Sequence, residues 1–440
     1  MLKKLRINDN KIYGIQKLSK IFQPIKIIPK NSLSLTDKEG FSKSSKLMLE
    51  LGIIRHSSPG SYYLLPLGIR ALEKLIGIVD DTMQSIGGQK VEFPTLINQK
   101  LWTTSGRLNE IGELFKLKDR HNHNYLLGPT HEETASELLS QFPNSYKDFP
   151  LLLYQISNKF RDEIKPRLGL LRSKQFIMKD MYSFDISSES AMQTYENVTE
   201  SYDRLFKRLV EGENGAMGGS LSHEYHYTAE VGEDILLKCT ECNYFANAEV
   251  VKDSCCPKCK SGNVMEKYKG IEVGHTFLLG DKYTKVFKSN FMDTNGKREN
   301  LEMGCYGIGL TRLLAAAIEN LSGDNEIRWP KEIAPYTVLI IPPKVGSKEE
   351  PFALNLMEPL CNSLHDISFL RNDLIIDNRE DLTIGRRIME ANRFGYPFII
   401  VLGNRIKEDP VLFELHDTTN GVQLDLRFED LISYISKSFR

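Results

Sequence analysis

The chain has almost no net charge, no long apolar run, and too few cysteines in the wrong arrangement for a disulfide scaffold. Lys and Arg number 57 against 58 Asp and Glu, for a formal charge of -1. The molecule as a whole is therefore not a polycation, and a nucleic-acid partner would have to be held by a local patch or by shape. No stretch approaches the roughly 20 apolar residues needed to cross a bilayer, so no membrane partner is expected. There are seven cysteines, an odd number, and four of them sit in two tight pairs. That favours a metal or free thiols in a reducing compartment. Acids are scarce only at the start, where MLKKLRINDNKIYGIQKLSKIFQPIKIIPK holds eight basic residues and a single acid, Asp9. A basic, acid-poor amphipathic start suits an organellar transit peptide, expected over residues 1-35, although Lys rather than Arg dominates it.

At 440 residues, 41% apolar and 26% charged, the chain can bury a sizeable core in two or three domains. KLMLELGIIRHSSPGSYYLLPLG turns at SSPG. The spacing of Leu67, Ile69, Leu72, Leu75, Ile76 and Val79 predicts a helix from Pro66 to Ser85, stopped by Gly87 and Gly88. VEFPTLI is a short strand interrupted at Pro94. HNHNYLLGPTHEETASELLSQF passes from strand to helix, with Thr130 as N-cap and Glu133 as its capping-box partner. LLLYQISNKF and KQFIMKDMYSF are strands, and a helix follows over Glu189 to Glu211. GENGAMGGS is expected to be a turn, HTFLLG and YTKVFKSNFM strands, and LTRLLAAAIEN a helix. After the linker SGDNEIRWPKEIAP the pattern changes. YTVLIIPP, LIIDN and FIIVLG are apolar strands separated by helices near Phe352 to Ile367 and Thr383 to Phe394. These predict an antiparallel α+β domain over 36-333, followed by a smaller α/β domain over 334-440.

Two segments carry chemistry. FRDEIKPRLGLLRSKQF crowds basic residues between two strands, with Asp162 and Glu163 beside Arg161. Arginine forks match phosphate oxygens, a carboxylate such as Glu163 accepts from an amine, and Phe176 can stack on a flat ring. The plainer alternative is a solvated, salt-bridged loop. LEMGCYGIGLTRLLAAAIE sets an acid, a Gly-rich turn, the lone Cys305 and Arg312 in a row. A charge on so apolar a helix needs a partner or a ligand, or else it snorkels at the edge of a packed helix. Downstream, CTECNYFANAEVVKDSCCPKC offers two CxxC pairs, Cys239 with Cys242 and Cys256 with Cys259. Their spacing suits one structural Zn²⁺ site of the ribbon type, set in an insert at about 236-268. Four thiolates would leave no open coordination position.

These segments resemble the signature motifs of the class II aminoacyl-tRNA synthetases. GGQKVEFPTL is similar to motif one, FRDEIKPRLGLLRSKQF to motif two and MGCYGIGLTR to motif three. LGPTHEE, IEVGHTF and DNREDLTIGRRIMEANRFGYP resemble more narrowly the prolyl branch of bacterial and mitochondrial type, and the likeness runs from about residue 40 onward. It implies a class II antiparallel catalytic sheet followed by an anticodon-binding domain. It also implies ATP-dependent joining of L-proline to tRNA(Pro) through a prolyl-adenylate, with Mg²⁺ accompanying ATP. By position, Arg161, Glu163 and Arg312 would be the catalytic residues. Arg161, Glu163, Arg172, Phe176 and Arg312 would hold ATP. Thr130, Glu132, His275 and Cys305 would meet proline, where a carboxylate neutralises the prolinium ion once it is desolvated. The motif-one proline implies a homodimer. Arg386 and Arg387 are the candidates for tRNA contact. Relatives of this type usually carry a large editing domain between motifs two and three, and here only the cysteine segment and short strands fill that space. With the basic start, this short form looks most like a mitochondrial matrix enzyme. The remaining alternatives are a class II enzyme for threonine or serine, a non-catalytic tRNA-binding paralogue, and a zinc-stabilised RNA-binding protein.

Overall fold

The computed structural model describes residues 15-25, 42-210, 214-219, 222-242, 244-248, 251, 255-262 and 265-438. Most of the expected leader, 1-14 and 26-35, lies outside these residues. The described stretch 15-25 differs from a free leader, because Gln16–Lys17 forms a short strand on the C-terminal sheet.

The first domain is built on a nine-stranded sheet. Its centre is four long antiparallel neighbours: Leu151–Phe160, Gln175–Asp185, Glu302–Gly309 and Met265–Gly280. Strand alternation gives this sheet two different faces. One face carries Lys179, Tyr306 and Ile308 beneath the helices Ser188–Leu209 and Leu310–Leu321. On the other face, the register sets Tyr182 and Phe277 either side of Cys305, and Asp180 and His275 either side of Gly307. Those two rows form the floor of the cleft described below. The helix Pro66–Ser85 has the predicted bounds, with Pro at its first turn, and buries Leu67, Leu72, Leu75 and Val79.

Several elements depart from expectation. Asn214–Gly219 is a strand where its glycines suggested a turn, because it pairs along Ser222–Thr228. Thr284–Phe287 is a short helical turn rather than the start of a strand. The Gly-rich segment of motif three is a strand throughout. Thr130 does not cap the helix Glu132–Ser140; the N-cap is His131, with no side-chain cap bond. The hydroxyl of Thr130 goes instead to Glu132.

The second domain is a six-stranded mixed sheet. Val338–Ile341, Leu374–Ile376 and Phe398–Val401 run parallel, and Phe413–Asp417 and Val422–Leu426 return antiparallel. Both faces of these three parallel strands are buried, while the antiparallel edge strand Val422–Leu426 is largely exposed. Val338, Ile340 and Ile400 pack under the helices Glu350–His365 and Phe428–Lys437. Leu339, Ile375 and Ile399 join the core that continues into the first domain.

Candidate active site

The cleft on the open sheet face has a volume of about 390 Å³ and is lined by Arg161, Phe176 and Arg312 at one end and by Thr130, Glu132 and Cys305 at the other. Arg161 and Arg312, far apart in sequence, thus meet across one space. Arg161 starts the motif-two loop, its N–H donating to Lys174 O at 2.9 Å to close the hairpin. Its guanidinium lies over the Phe176 ring, 5.3 Å from the centroid. Among the described residues it has no carboxylate within ion-pair distance. Burial, and then the charge of Arg312, lower its pKa.

Arg312 stands in the first turn of Leu310–Leu321, whose N-terminus has no side-chain cap. A cation there opposes the helix dipole, so helix end and guanidinium present positive potential together. Arg312 Nε donates to Leu171 O at 2.8 Å, and Nη1 lies 3.6 Å from Glu272 Oε2. Glu272 sits against His275 Nδ1 at 3.0 Å. Burial works against its charge, yet the His275 hydrogen bond and Arg312 bring its pKa down to about 2. Glu272 was not singled out in the sequence, although it lies inside the quoted IEVGHTF.

The rest of the motif-two loop answers partly to the plainer reading. Lys174 pairs with Asp162 at 2.5 Å, and Arg167 with Glu233 at 2.6 Å. Arg172 is held by Glu163 at 2.8 Å and Glu233 at 2.6 Å, lining an adjoining cavity of about 290 Å³ rather than the main cleft. The hydrogen bond from Arg172 leaves Glu163 buried and oriented.

At the other end, Glu132 Oε1 accepts from Thr130 Oγ1 at 2.7 Å and from Cys305 Sγ at 3.3 Å. Burial, and then Glu132, push the Cys305 thiol well above its ordinary pKa, so it stays protonated. His275 stacks on Phe277 with ring centroids 3.7 Å apart. Gly307 keeps the floor open, since a Cβ there would meet only Met178 Sδ at 3.8 Å and His275 O at 3.9 Å. Beneath Thr130 lies a network the sequence did not disclose. Lys159 Nζ pairs with Asp180 Oδ1 at 2.9 Å and donates to His131 Nδ1 at 2.9 Å, while Tyr182 OH donates to Asp180 Oδ2 at 2.8 Å and accepts from His131 N at 2.7 Å. All four side chains are buried, so this floor is rigid. The alternation of the two strands could have placed Asp180 on the cleft face, but not its partners.

The four insert cysteines come together. Their sulfurs lie within 4.8 Å of one another, with Cys239 to Cys259 and Cys242 to Cys256 each at 3.6 Å. A tetrahedral ion with bonds of about 2.3 Å needs sulfurs about 3.8 Å apart, so the donor set fits Zn²⁺. Cys255 is exposed and stands outside the cluster.

Arg387 corrects an expectation. It is fully buried, its guanidinium donating to Asp377 O at 3.1 Å and Pro342 O at 2.8 Å, which ties the helix Ile384–Phe394 to two sheet ends. An RNA cannot reach it. Its neighbour Arg386 is exposed and, among the described residues, its side chain pairs with Glu390 at 3.1 Å.

Comparison with known proteins identifies the two domains. Residues 115–321 match the model of the tRNA synthetase class II core domain (G, H, P, S and T), and 337–438 match the anticodon binding domain. The chain is 47% identical over 417 residues to "Probable proline--tRNA ligase, mitochondrial" of Homo sapiens, covering 92% of this chain and 87% of that one. It is 45% identical over 432 residues to the Rattus norvegicus protein of the same name, covering 95% and 90%. It is also 36% identical to "Proline--tRNA ligase" of Anaplasma phagocytophilum, covering 90% and 95%. Among solved structures, prolyl-tRNA synthetase of Giardia lamblia in complex with prolyl-adenylate shares the fold. Its TM-score is 0.72 at 17% identity, over 90% of this chain and 78% of that one. The chain belongs to the class II tRNA synthetases and, within them, to the proline--tRNA ligases.

Proposed function

We propose that the chain ligates L-proline to tRNA(Pro) in two steps within the mitochondrial matrix, acting as a homodimer. In the first step a proline carboxylate oxygen attacks the α-phosphorus of ATP. The bond to the β-phosphate bridge breaks, giving prolyl-adenylate and pyrophosphate. In the second the terminal ribose hydroxyl of the tRNA attacks the activated carbonyl, and AMP leaves with the bonding pair. Arg161 stabilises charge on the α-phosphate, with Phe176 stacked on adenine and Glu163 fixing the nucleotide. Arg312, with the bare helix end behind it, meets the outer phosphates. Thr130 and Glu132 receive the secondary ammonium, and His275 and Cys305 bound the ring. Arg172 reaches the nucleotide from the adjoining cavity once it exchanges Glu233 for phosphate. Arg386 is the tRNA contact of the second domain. Mg²⁺ accompanies ATP and screens its phosphates.

No covalent enzyme intermediate is needed. The protonated Cys305 is a poor nucleophile, and positioning with fixed charge supplies the rate. The four insert cysteines hold Zn²⁺ in a structural role. The observation that carries this reading is the cleft that joins Arg161, which no carboxylate pairs among the described residues, and Arg312 to the buried carboxylate of Glu132. A cationic imino acid and a polyanion fit its two ends.

The test is exchange of pyrophosphate into ATP with proline, threonine or serine. Proline alone should drive it. Exchange with threonine or serine would move the chain to another specificity, and no exchange at all would leave a tRNA-binding paralogue.

A further inference from the structure

Arg107, which no motif contains, is the residue nearest to setting the charge of the imino-acid end. It follows the helix Gln99–Ser105 through Gly106, whose φ of 85° turns the chain back toward the cleft. A side chain is strained in that conformation. The guanidinium lies over the Trp102 ring at 4.6 Å and within 5.7 Å of the Tyr283 centroid. Its Nη1 donates to Glu132 Oε2 at 2.9 Å and to Glu133 Oε1 and Oε2 at 3.1 and 3.2 Å. Ser105 Oγ adds a bond to Glu133 Oε1 at 2.8 Å. One cation therefore serves two buried carboxylates. When both are ionised, the cluster keeps one uncompensated negative charge, and the cleft offers it only through Glu132.

We propose that Arg107 is a positioning and specificity residue for the imino acid. Stacked on the Trp102 face, it holds the Glu132 carboxylate in place and divides its charge between Glu132 and Glu133, so that the pocket is completed by one cationic secondary amine. The inference rests on Glu132 receiving the ammonium, as proposed above. A neutral ring of the same size would gain the apolar contacts but leave the cluster one charge short of balance. Burying an unbalanced charge is the costlier outcome.

The test compares proline with 2-tetrahydrofuroic acid, which carries an ether oxygen in place of the ring ammonium and is titrated as a competitor of proline in the exchange assay. Wild-type protein should favour proline by at least 100-fold. Arg107→Gln should raise KM for proline at least 20-fold while KM for ATP changes less than threefold, and Arg107→Lys should recover part of the loss. Glu133→Gln, which leaves one cation to one carboxylate, should cut the proline-to-tetrahydrofuroate ratio at least fivefold with the fold intact. Should Arg107→Gln fail to fold, Glu133→Gln decides alone. Unchanged KM and ratio in every folded variant would make Arg107 a mere structural tie and overturn the proposal. Wild-type protein without proline-dependent exchange would instead sink the functional reading beneath it.

Discussion

At the scale of single residues, the cleft depends on charges held where water cannot fully screen them. Arg161 is the clearest case, since its charge is opposed by Arg312 and no carboxylate pairs with it among the described residues. Arg161→Ala should lower the exchange rate by about 10²–10³, on the order of 3–4 kcal/mol of lost charge stabilisation. Arg161→Lys should restore little, because a point charge lacks the planar fork. Steady-state exchange kinetics on both variants check this, and full activity in either would remove Arg161 from the chemistry.

His131, below the floor, makes a separate prediction about stability. Its Nδ1 accepts from Lys159 while Nε2 donates to Pro94 O at 3.2 Å, so the ring is neutral. Burial, and then the Lys159 charge, hold its pKa at about 4 against 6.5 for the unfolded chain. Below pH 6.5 the unfolded chain takes up a proton that the folded one refuses. The folded state therefore loses stability as pH falls, until about pH 4, below which both carry it. The full loss is on the order of 3 kcal/mol. His131→Gln can make both bonds without titrating, and urea unfolding at pH 7, 6, 5 and 4 should show a flatter profile than wild type. Parallel profiles would refute the assignment.

At the scale of elements, the cysteine insert is more than an appendage. Asp234–Cys239 begins next to Glu233, which holds Arg167 and Arg172, and it pairs along Met265–Gly280, the strand that also carries Glu272 and His275 into the cleft. A metal held by the four cysteines at the outer end of that hairpin would brace both a cleft wall and the motif-two loop. Purified protein should contain one zinc per chain by elemental analysis. Cys259→Ser should lose it and lower the thermal transition, and metal-free, equally stable wild-type protein would exclude the site. The same elements show what the sequence makes legible. Leu151–Phe160 and Gln175–Asp185 are readable because their short apolar and aromatic runs are bounded by polar loops. Asn214–Gly219 is not, because glycines that favour turns were overridden by pairing with a neighbouring strand. Arg386 and Arg387 look alike in sequence, and only the roll of their helix decides that one is exposed and the other buried. Arg107 was invisible for the same reason: a loop arginine becomes part of a site only when the fold brings two distant carboxylates to it.

At the scale of the whole molecule, the two domains are joined by charged clamps as well as by a shared core. Asp373 receives both Arg70 at 3.0 Å and Lys74 at 2.7 Å across the boundary, and Trp329 Nε1 donates to Phe394 O at 2.9 Å. The stretch 15-25 adds a strap over the same boundary. Gln16 and Lys17 extend the second domain's sheet beside Ile375 and Ile376, and Ser19 N donates to Asn378 Oδ1 at 3.1 Å. Leu18 is buried, then Gln23 Nε2 donates to Leu51 O at 3.0 Å and Arg55 donates to Pro24 O in the first domain. Removing residues 1-14 takes away none of these contacts. Removing 1-25 takes them all, exposing a strand edge and the site of Leu18, whose burial alone is worth about 1.5–3 kcal/mol. The shorter deletion should therefore lower the melting temperature less than the longer one. The longer one should lower the melting temperature by several degrees and reduce tRNA charging more than proline-dependent exchange, since only charging needs both domains held in register. An import protease that respects this strap must cut at or before residue 15, so the mature amino terminus, read by intact mass from isolated mitochondria, should still include Gln16. A terminus beyond Ile21 in fully active protein would show that the strap is dispensable.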